Sequence, residues 1–360
     1  MKPGIAILTG LLGLASWLNW DRPGLDRPSL DRPGLDRPAF KIGMKNGGEF
    51  QVLEVLDHEG QLEKYTANIK APVCEEGICY NVNVRFDWNV IGEFIDYQVP
   101  PHDPLTKLDH EPFTLGDYAK LRSILKNHDL IFTGMKAEEL VVETAEADVD
   151  GYSGATVEAI KEEVVDGALF TCHTLWHVAN GAVVDSIRRH TRVLLDQPLI
   201  DRIFALQSST ANYYLIDNLS EAQFERNITQ LLDLVKNAQG YFPKNTLEKI
   251  PPKLFAKNEV QNFLTQHYDS LSYYTQVAAL NKLQKVSLQE KLVEKLLTEI
   301  SDRNSAQNQK IITLIIKNNN PASIRRLMDL LIEKKVKLSE ANYQLLQKLN
   351  VARIEGLEKI

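Results

Sequence analysis

A change in hydrophobic periodicity along the 360-residue chain limits its possible folds more than any other feature. Between Phe40 and about Tyr97, apolar and polar residues alternate, most regularly over 80–86, which is typical of half-buried strands. From about Gln197 onward the strand pattern disappears and apolar residues recur at helical spacing. We therefore expect an α+β domain over residues 41–195, followed by an all-α domain over residues 196–360.

Several local signals place elements inside the α+β domain. Thr114, followed three residues later by Asp117, is typical of a capped helix start. Asn180 and Gly181 form a helix stop. We expect strands over 49–55, 80–86 and 140–142, and helical runs over 114–125, 157–168, 170–179 and 183–195.

The C-terminal half predicts helices of about 12 to 18 residues joined by short polar turns. Breaks are expected at Gly240, at Pro243, at 251–252 and at 318–321. An array of paired helical repeats and a compact bundle both fit this pattern. Such domains act as scaffolds or binding surfaces, and the pattern contains no catalytic constellation.

The N-terminus carries an apolar stretch from Ile5 to Trp20 after Met1, Lys2 and Pro3. It fits a signal peptide or short membrane anchor over residues 1–20. Cleavage after 14–16 is disfavoured by the bulky Trp17, so a retained anchor is the stronger expectation. A misassigned start and a buried hydrophobic arm are the alternatives. We expect an exported protein, periplasmic or anchored facing outside the cytoplasm.

Residues 21–40 consist of four pentads, each beginning Asp-Arg-Pro. Proline at every fifth position removes backbone donors and fixes φ, so neither helix nor sheet is favoured. The pattern predicts a semi-extended spacer. The net charge of −7 argues against nucleic-acid binding, which needs a basic surface.

The stretch 150–156, Asp-Gly-Tyr-Ser-Gly-Ala-Thr, is the strongest functional signal. Ser153 is a candidate N-cap, and Gly154 and Ala155 leave the backbone open to a ligand. Thr156 is then expected in the first helical turn, where free amides and the helix dipole favour an anion. The segment therefore predicts a phosphate beside Thr156 or joined to it.

This segment resembles the flavin-attachment motif of the FMN-binding domain family, found in sodium-pumping NADH:quinone reductases and Rnf-type electron-transport complexes. The resemblance implies an FMN-binding-like α+β fold over about residues 41–192 and FMN joined to Thr156 by a phosphoester bond. A flavin transferase acting outside the cytoplasm would form the bond, with Asp150, Gly151, Ser153, Gly154 and Ala155 as the surrounding motif. The helical region after the motif departs from the family pattern.

The resemblance implies an electron-transfer flavoprotein, more an electron carrier or redox-complex subunit than a stand-alone enzyme. A redox protein partner would dock on the helical domain. A non-redox scaffold is the alternative function. For the motif itself, an acidic turn without a ligand is one alternative. An EF-hand-like calcium loop is another, but its carboxylate at Glu158 lies one residue late.

Other candidate ligands lie on either side of the motif. His173 and His177 share a helical face, as a metal pair would, but no third ligand follows at helical spacing, so a packed aromatic helix is favoured over a metal or haem site. His173, Trp176 and His177 are candidate contacts of the flavin ring, and Lys107 is a candidate contact of its phosphate or its N1 region.

The two remaining candidate sites are a cysteine pair and a polar loop. Cys74 and Cys79 close a short loop on an expected hairpin, which in an exported protein predicts a disulfide. Asp109 and His110 occupy a polar loop but lack an activated nucleophile, so no catalytic residue is assigned.

Overall fold

The computed structural model describes residues 36–44, 48–72, 81–107, 110–142, 155–156, 158–301, 304–349, 354 and 357. The expected leader over 1–20, the pentads over 21–35, the Cys74–Cys79 disulfide, Asp109 and motif residues 150–154 lie outside this part of the chain. The chain divides into two compact units, Met1–Leu195 and Asp196–Ile360.

The first unit is built on a five-stranded antiparallel sheet in which neighbours in sequence are neighbours in space. This meander confirms the expected strand region, and the antiparallel pairing of the third and fourth strands confirms a hairpin. The strands are β1 (Asp36–Gly43), β2 (Glu49–Leu56), β3 (Leu62–Ala71), β4 (Val82–Trp88) and β5 (Phe94–Gln98).

One face of the sheet forms the core of this unit, because alternate residues of each strand are apolar and buried. Cross-strand neighbours on this face are Val52, Ala67, Phe86 and Tyr97. The opposite face carries polar side chains, including the ion pair of Lys64 with Asp87 at 2.6 Å.

Strand β1 corrects one expectation about the pentad tract. The fourth pentad, residues 36–40, was expected to form neither helix nor sheet, but it begins this strand and pairs with β2. The strand tolerates Pro38 because β1 is an edge strand. Proline has no amide hydrogen to donate, and on the open side of an edge strand no neighbouring strand needs that hydrogen bond. Arg37 adds an ion pair to Glu54.

Three helices of 12 or 13 residues follow the sheet: α1 (Leu115–Lys126), α3 (Leu169–Asn180) and α4 (Ala182–Leu194), with the short helix α2 (Glu158–Lys161) between α1 and α3. Thr114 and Asp117 form a reciprocal capping box at the start of α1, as expected. Gly181 separates α3 from α4 and confirms the expected stop. A Cβ at this position would lie 2.3 Å from the carbonyl oxygen of His177, so only glycine fits without a backbone shift.

The segment around the glycine-rich motif differs from expectation. Ala155–Thr156 forms the two-residue strand β7, paired antiparallel with β6 (Val141–Val142), and helix α2 spans only Glu158–Lys161. The expected strand before the motif is therefore confirmed at β6. The expected continuous helix to Ala168 is wrong, because the chain turns after α2 and reaches a positive φ at Gly167.

The second unit is helical throughout its described residues. Its helices are α5 (Gln197–Ala205), α6 (Ser209–Asn218), α7 (Glu221–Arg226), α8 (Ile228–Asn237), α9 (Phe242–Lys249), α10 (Asn258–His267), α11 (Tyr273–Leu283), α12 (Glu290–Thr298), α13 (Ser305–Asn318), α14 (Pro321–Glu333) and α15 (Glu340–Lys348). They run from 6 to 14 residues, so α13 and α14 have the expected length of about 12 to 18 and the others are shorter. Pro243 and Pro321 lie in the first turns of α9 and α14.

These helices are stacked as an array. Helices α6, α9, α11, α13 and α15 contact one another in succession, and so do α8, α10, α12 and α14. Ion pairs recur at a spacing of 32 residues, as in Lys249–Asp217 and Lys257–Glu225. Each helix pair therefore packs on the next, which selects the repeat-like array over the compact bundle.

Candidate functional site

Thr156 is the last residue of the short strand β7, opposite Val141 of β6. Helix α2 begins two residues later, at Glu158. The expectation that Thr156 lies in the first helical turn is therefore wrong. A helix of four residues also has few aligned peptide dipoles, so the anion-binding argument from a helix start carries little weight here.

The chain before β6 connects this strand pair to helix α3. Two short 3-10 helices, Ile131–Gly134 and Ala137–Leu140, precede β6, and α3 packs against both. Met135 lies between them, and its carbonyl oxygen is 3.1 Å from Nε2 of His173. The structure thus brings α3 and the backbone of Thr156 to the same stretch of chain, residues 131–142.

His173 and His177 meet on α3 as the helical spacing predicts. Their Nε2 atoms are 3.0 Å apart, and the ring centroids are 4.4 Å apart. His173 is buried, whereas His177 is half-buried. The Nε2 atoms of the two imidazoles therefore lie in contact, the Met135 carbonyl oxygen lies close to that of His173, and His177 is partly open to solvent.

Trp176 extends this cluster but is held by its own contacts. Its indole Nε1 donates to the carbonyl oxygen of Asn127 at 2.8 Å, and its ring meets Phe132 and His177 edge-on. Only 9% of the residue is exposed. Phe132, Met135 and Asn127 were not expected from the sequence, since they reach α3 through contacts far apart in the chain.

Lys107 lies at a different place from the histidine cluster. Its Nζ is 2.9 Å from Oδ2 of Asp117, inside the capping box of α1. This hydrogen bond raises the pKa of Lys107. For Asp117, burial raises the pKa, but the hydrogen bonds from Lys107 and Thr114 outweigh it and hold the pKa below its ordinary value.

Cys172 is fully buried on α3, next in sequence to His173. Burial raises the pKa of its thiol to about 11, although the Val165 amide donates to Sγ at 3.4 Å and acts in the opposite direction. The thiolate is therefore scarce at neutral pH, which argues for packing rather than reactivity.

A second buried polar centre was not expected from the sequence. The carboxylate of Glu54, on the buried face of the sheet, accepts hydrogen bonds from Arg37 of β1 and His190 of α4. Thr191 of α4 bonds the Tyr65 hydroxyl at 2.9 Å and the Val90 carbonyl at 2.6 Å. These contacts fasten α4 to the sheet.

In the described part of the chain, no three side chains of His, Cys, Asp or Glu converge on one point. None of the described helices combines the length and apolarity needed to cross a membrane.

Comparison with known proteins assigns neither a family nor a function to the chain. No family model matches the chain, and neither a curated protein nor a solved structure matches it.

Proposed function

We propose that the protein is an extracytoplasmic electron-transfer flavoprotein that carries FMN in phosphoester linkage to Thr156. The observation that carries the proposal is the seven-residue segment 150–156, which fits the flavin-attachment motif at every position. In the backbone, Thr156 ends strand β7, two residues before helix α2 begins.

The α3 cluster supports the same site. A flavin on Thr156 needs neighbouring groups that orient its ring and tune its potential. His177 suits this role because it is half-buried and belongs to the cluster that packs on residues 131–142. Trp176 is covered and bonded to Asn127, and Lys107 is paired with Asp117, so we assign the ring contact to His177.

The helical unit suits the docking of a redox protein partner. Arrays of stacked helix pairs present extended binding surfaces. Tyr241, Tyr273 and Tyr274 are 67%, 43% and 58% exposed and cluster at the starts of α9 and α11. Exposed tyrosines are enriched at protein interfaces, so this tyrosine patch is the surface we assign to the partner.

Co-expression with a flavin transferase in the periplasm tests the proposal. The intact mass of the wild-type chain should rise by the mass of FMN less water, and the denatured protein should stay yellow. Thr156→Val should carry no flavin, because valine lacks the hydroxyl but keeps the β-branched shape that suits strand β7. Thr156→Ser retains a hydroxyl and serves as the matched control.

A non-redox scaffold is the second candidate function, favoured by the helical array and its tyrosine patch. In that case the wild-type chain stays unmodified beside an active transferase that labels a known substrate. If neither wild type nor Thr156→Val gains the mass of FMN less water, that result decides against the flavin carrier.

A further inference from the structure

We infer that His173 and His177, with the main-chain carbonyl of Met135, form a binding site for one divalent cation of the zinc, nickel and copper class. The site shares His177 with the proposed flavin contact, but the argument for a cation uses only atoms of α3 and of the stretch before β6. Imidazole nitrogen is a preferred ligand of these cations.

The distance between the two imidazoles carries the inference. Two nitrogens bound to one metal at about 2.05 Å lie about 2.9 Å apart at a 90° ligand angle and about 3.4 Å apart at a tetrahedral angle. The observed Nε2–Nε2 distance of 3.0 Å falls in this interval. The two rings are therefore spaced as ligands of one ion without movement of the helix.

The helix supplies the rigidity of the pair. Residues four apart on α3 lie on the same helical face, and the Nε2 atoms of the two rings lie 3.0 Å apart. The Met135 carbonyl oxygen lies 3.1 Å from the His173 nitrogen, within reach of an ion bound to that nitrogen. Two nitrogens and one oxygen are the ligand atoms that the described residues supply.

Ion binding requires one proton shift within the pair. Without a cation, one Nε2 donates its hydrogen to the other, so one of the rings is protonated at Nε2. In the bound state both Nε2 lone pairs face the ion, and that hydrogen moves to Nδ1 of the same ring, so the imidazole stays neutral. The half-buried His177 gives the ion a path from solvent.

Trp176 provides the readout. Its ring centroid is 5.2 Å from that of His177, so a paramagnetic ion at the site should quench its fluorescence. Untagged protein made without a flavin transferase is titrated with Ni²⁺, and diamagnetic Zn²⁺ is then added as a competitor. We expect saturable quenching at one equivalent, reversed by Zn²⁺.

The variants His173→Gln and His177→Gln should each weaken Ni²⁺ binding by at least tenfold, as expected for the loss of one of two imidazole ligands. The matched control is His58→Gln, whose exposed ring lies beside Glu59 outside the cluster. Near-ultraviolet circular dichroism establishes that each variant is folded.

Equal Ni²⁺ affinity in wild type and in the folded His177→Gln variant would overturn the site. Quenching that rises linearly without saturation would overturn it as well. Because the protein carries no flavin in this experiment, its result is separate from the outcome for Thr156.

Discussion

Glu54 of strand β2 and His190 of helix α4 are 136 positions apart, and their side chains meet at 2.6 Å between Oε1 and Nε2. The carboxylate is 4% exposed and the imidazole 27%, and Arg37 binds the second carboxylate oxygen. A carboxylate on the buried face of a sheet needs such partners, because an unpaired buried charge is strongly destabilising. This pair therefore couples the helix to the sheet.

Replacement of this carboxylate should destabilise the first unit. We expect Glu54→Gln to lower the free energy of unfolding by about 1 to 3 kcal/mol, because it removes hydrogen bonds between charged groups. Urea unfolding followed by tryptophan fluorescence measures the effect, since all four tryptophans precede Leu195.

The matched control for this measurement lies on the same strand. Glu49 pairs with Lys41 at an exposed position, so Glu49→Gln should cost at most about 1 kcal/mol. Equal losses in the two variants would contradict the role assigned to the buried carboxylate.

The helical unit depends on buried amide side chains between its repeats. Gln261 is 1% exposed; its Nε2 donates to the carbonyls of Phe255 and Ser287, and its Oε1 accepts from the Gln289 amide. Gln261→Leu leaves these three backbone groups without their partner. We expect a loss of about 2 to 4 kcal/mol in the unfolding free energy of this unit.

Far-ultraviolet circular dichroism during urea unfolding measures this loss. Gln344 is exposed and bonds Glu340 within one helix, so Gln344→Leu should change stability by less than about 0.5 kcal/mol. A Gln261→Leu variant as stable as this control would show that the amide has no structural role.

The thiol of Cys172 should be unreactive in the folded protein. Burial raises its pKa to about 11, so both access and thiolate fraction are low. We expect alkylation by iodoacetamide at about pH 8 to be at least a hundredfold slower in the native state than in urea.

Peptide mapping by mass spectrometry measures the modification at Cys172 separately from the other cysteines. A cysteine introduced on an exposed helix start, as Ser209→Cys, should react at the same rate with and without urea. Fast native labelling of Cys172 would mean that α3 opens readily.

Acid should remove the contribution of Asp117 to the start of α1. Hydrogen bonds from Lys107 and Thr114 hold its pKa below the ordinary value despite partial burial. A carboxyl group whose pKa is lower in the folded state than in the unfolded state stabilises the folded protein at any pH above its unfolded-state pKa. This stabilisation is lost as the pH falls through the folded-state pKa. Asp117→Asn should therefore be less stable than wild type at neutral pH.

The difference between wild type and Asp117→Asn should shrink as the pH falls below about 4. Thermal unfolding over this pH range measures it. Asp103→Asn is the control, because this exposed side chain accepts a hydrogen bond from Asn83 at 3.1 Å, and it should show little difference from wild type at any pH. A stability difference between wild type and Asp117→Asn that stays constant with pH would show that the charge of Asp117 does not stabilise α1.

Local patterns in the sequence predicted much of the fold. The alternation over 80–86 predicted β4, Thr114 and Asp117 predicted the capping box of α1, and Asn180–Gly181 predicted the end of α3. These features depend on residues only a few positions apart, so they are readable without tertiary structure.

The region after Thr156 shows where such patterns fail. Val157, Ile160, Val164 and Ala168 have helical spacing, yet the helix ends at Lys161. Ile160, Val164 and Ala168 are buried, so burial in a turning segment reproduces the spacing of a helical face. Periodicity reports which residues are buried, and it does not distinguish a helix from a compact turn.

The sequence alone determined the change from strands to helices, the caps of individual helices and the i, i+4 spacing of His173 and His177. Only the tertiary structure decided that Met135 reaches His173, that Glu54 meets His190, and that the C-terminal helices stack as an array. The first group depends on neighbours along the chain. The second depends on the packing of segments far apart in sequence, where burial and the need to pair buried polar groups choose the partners.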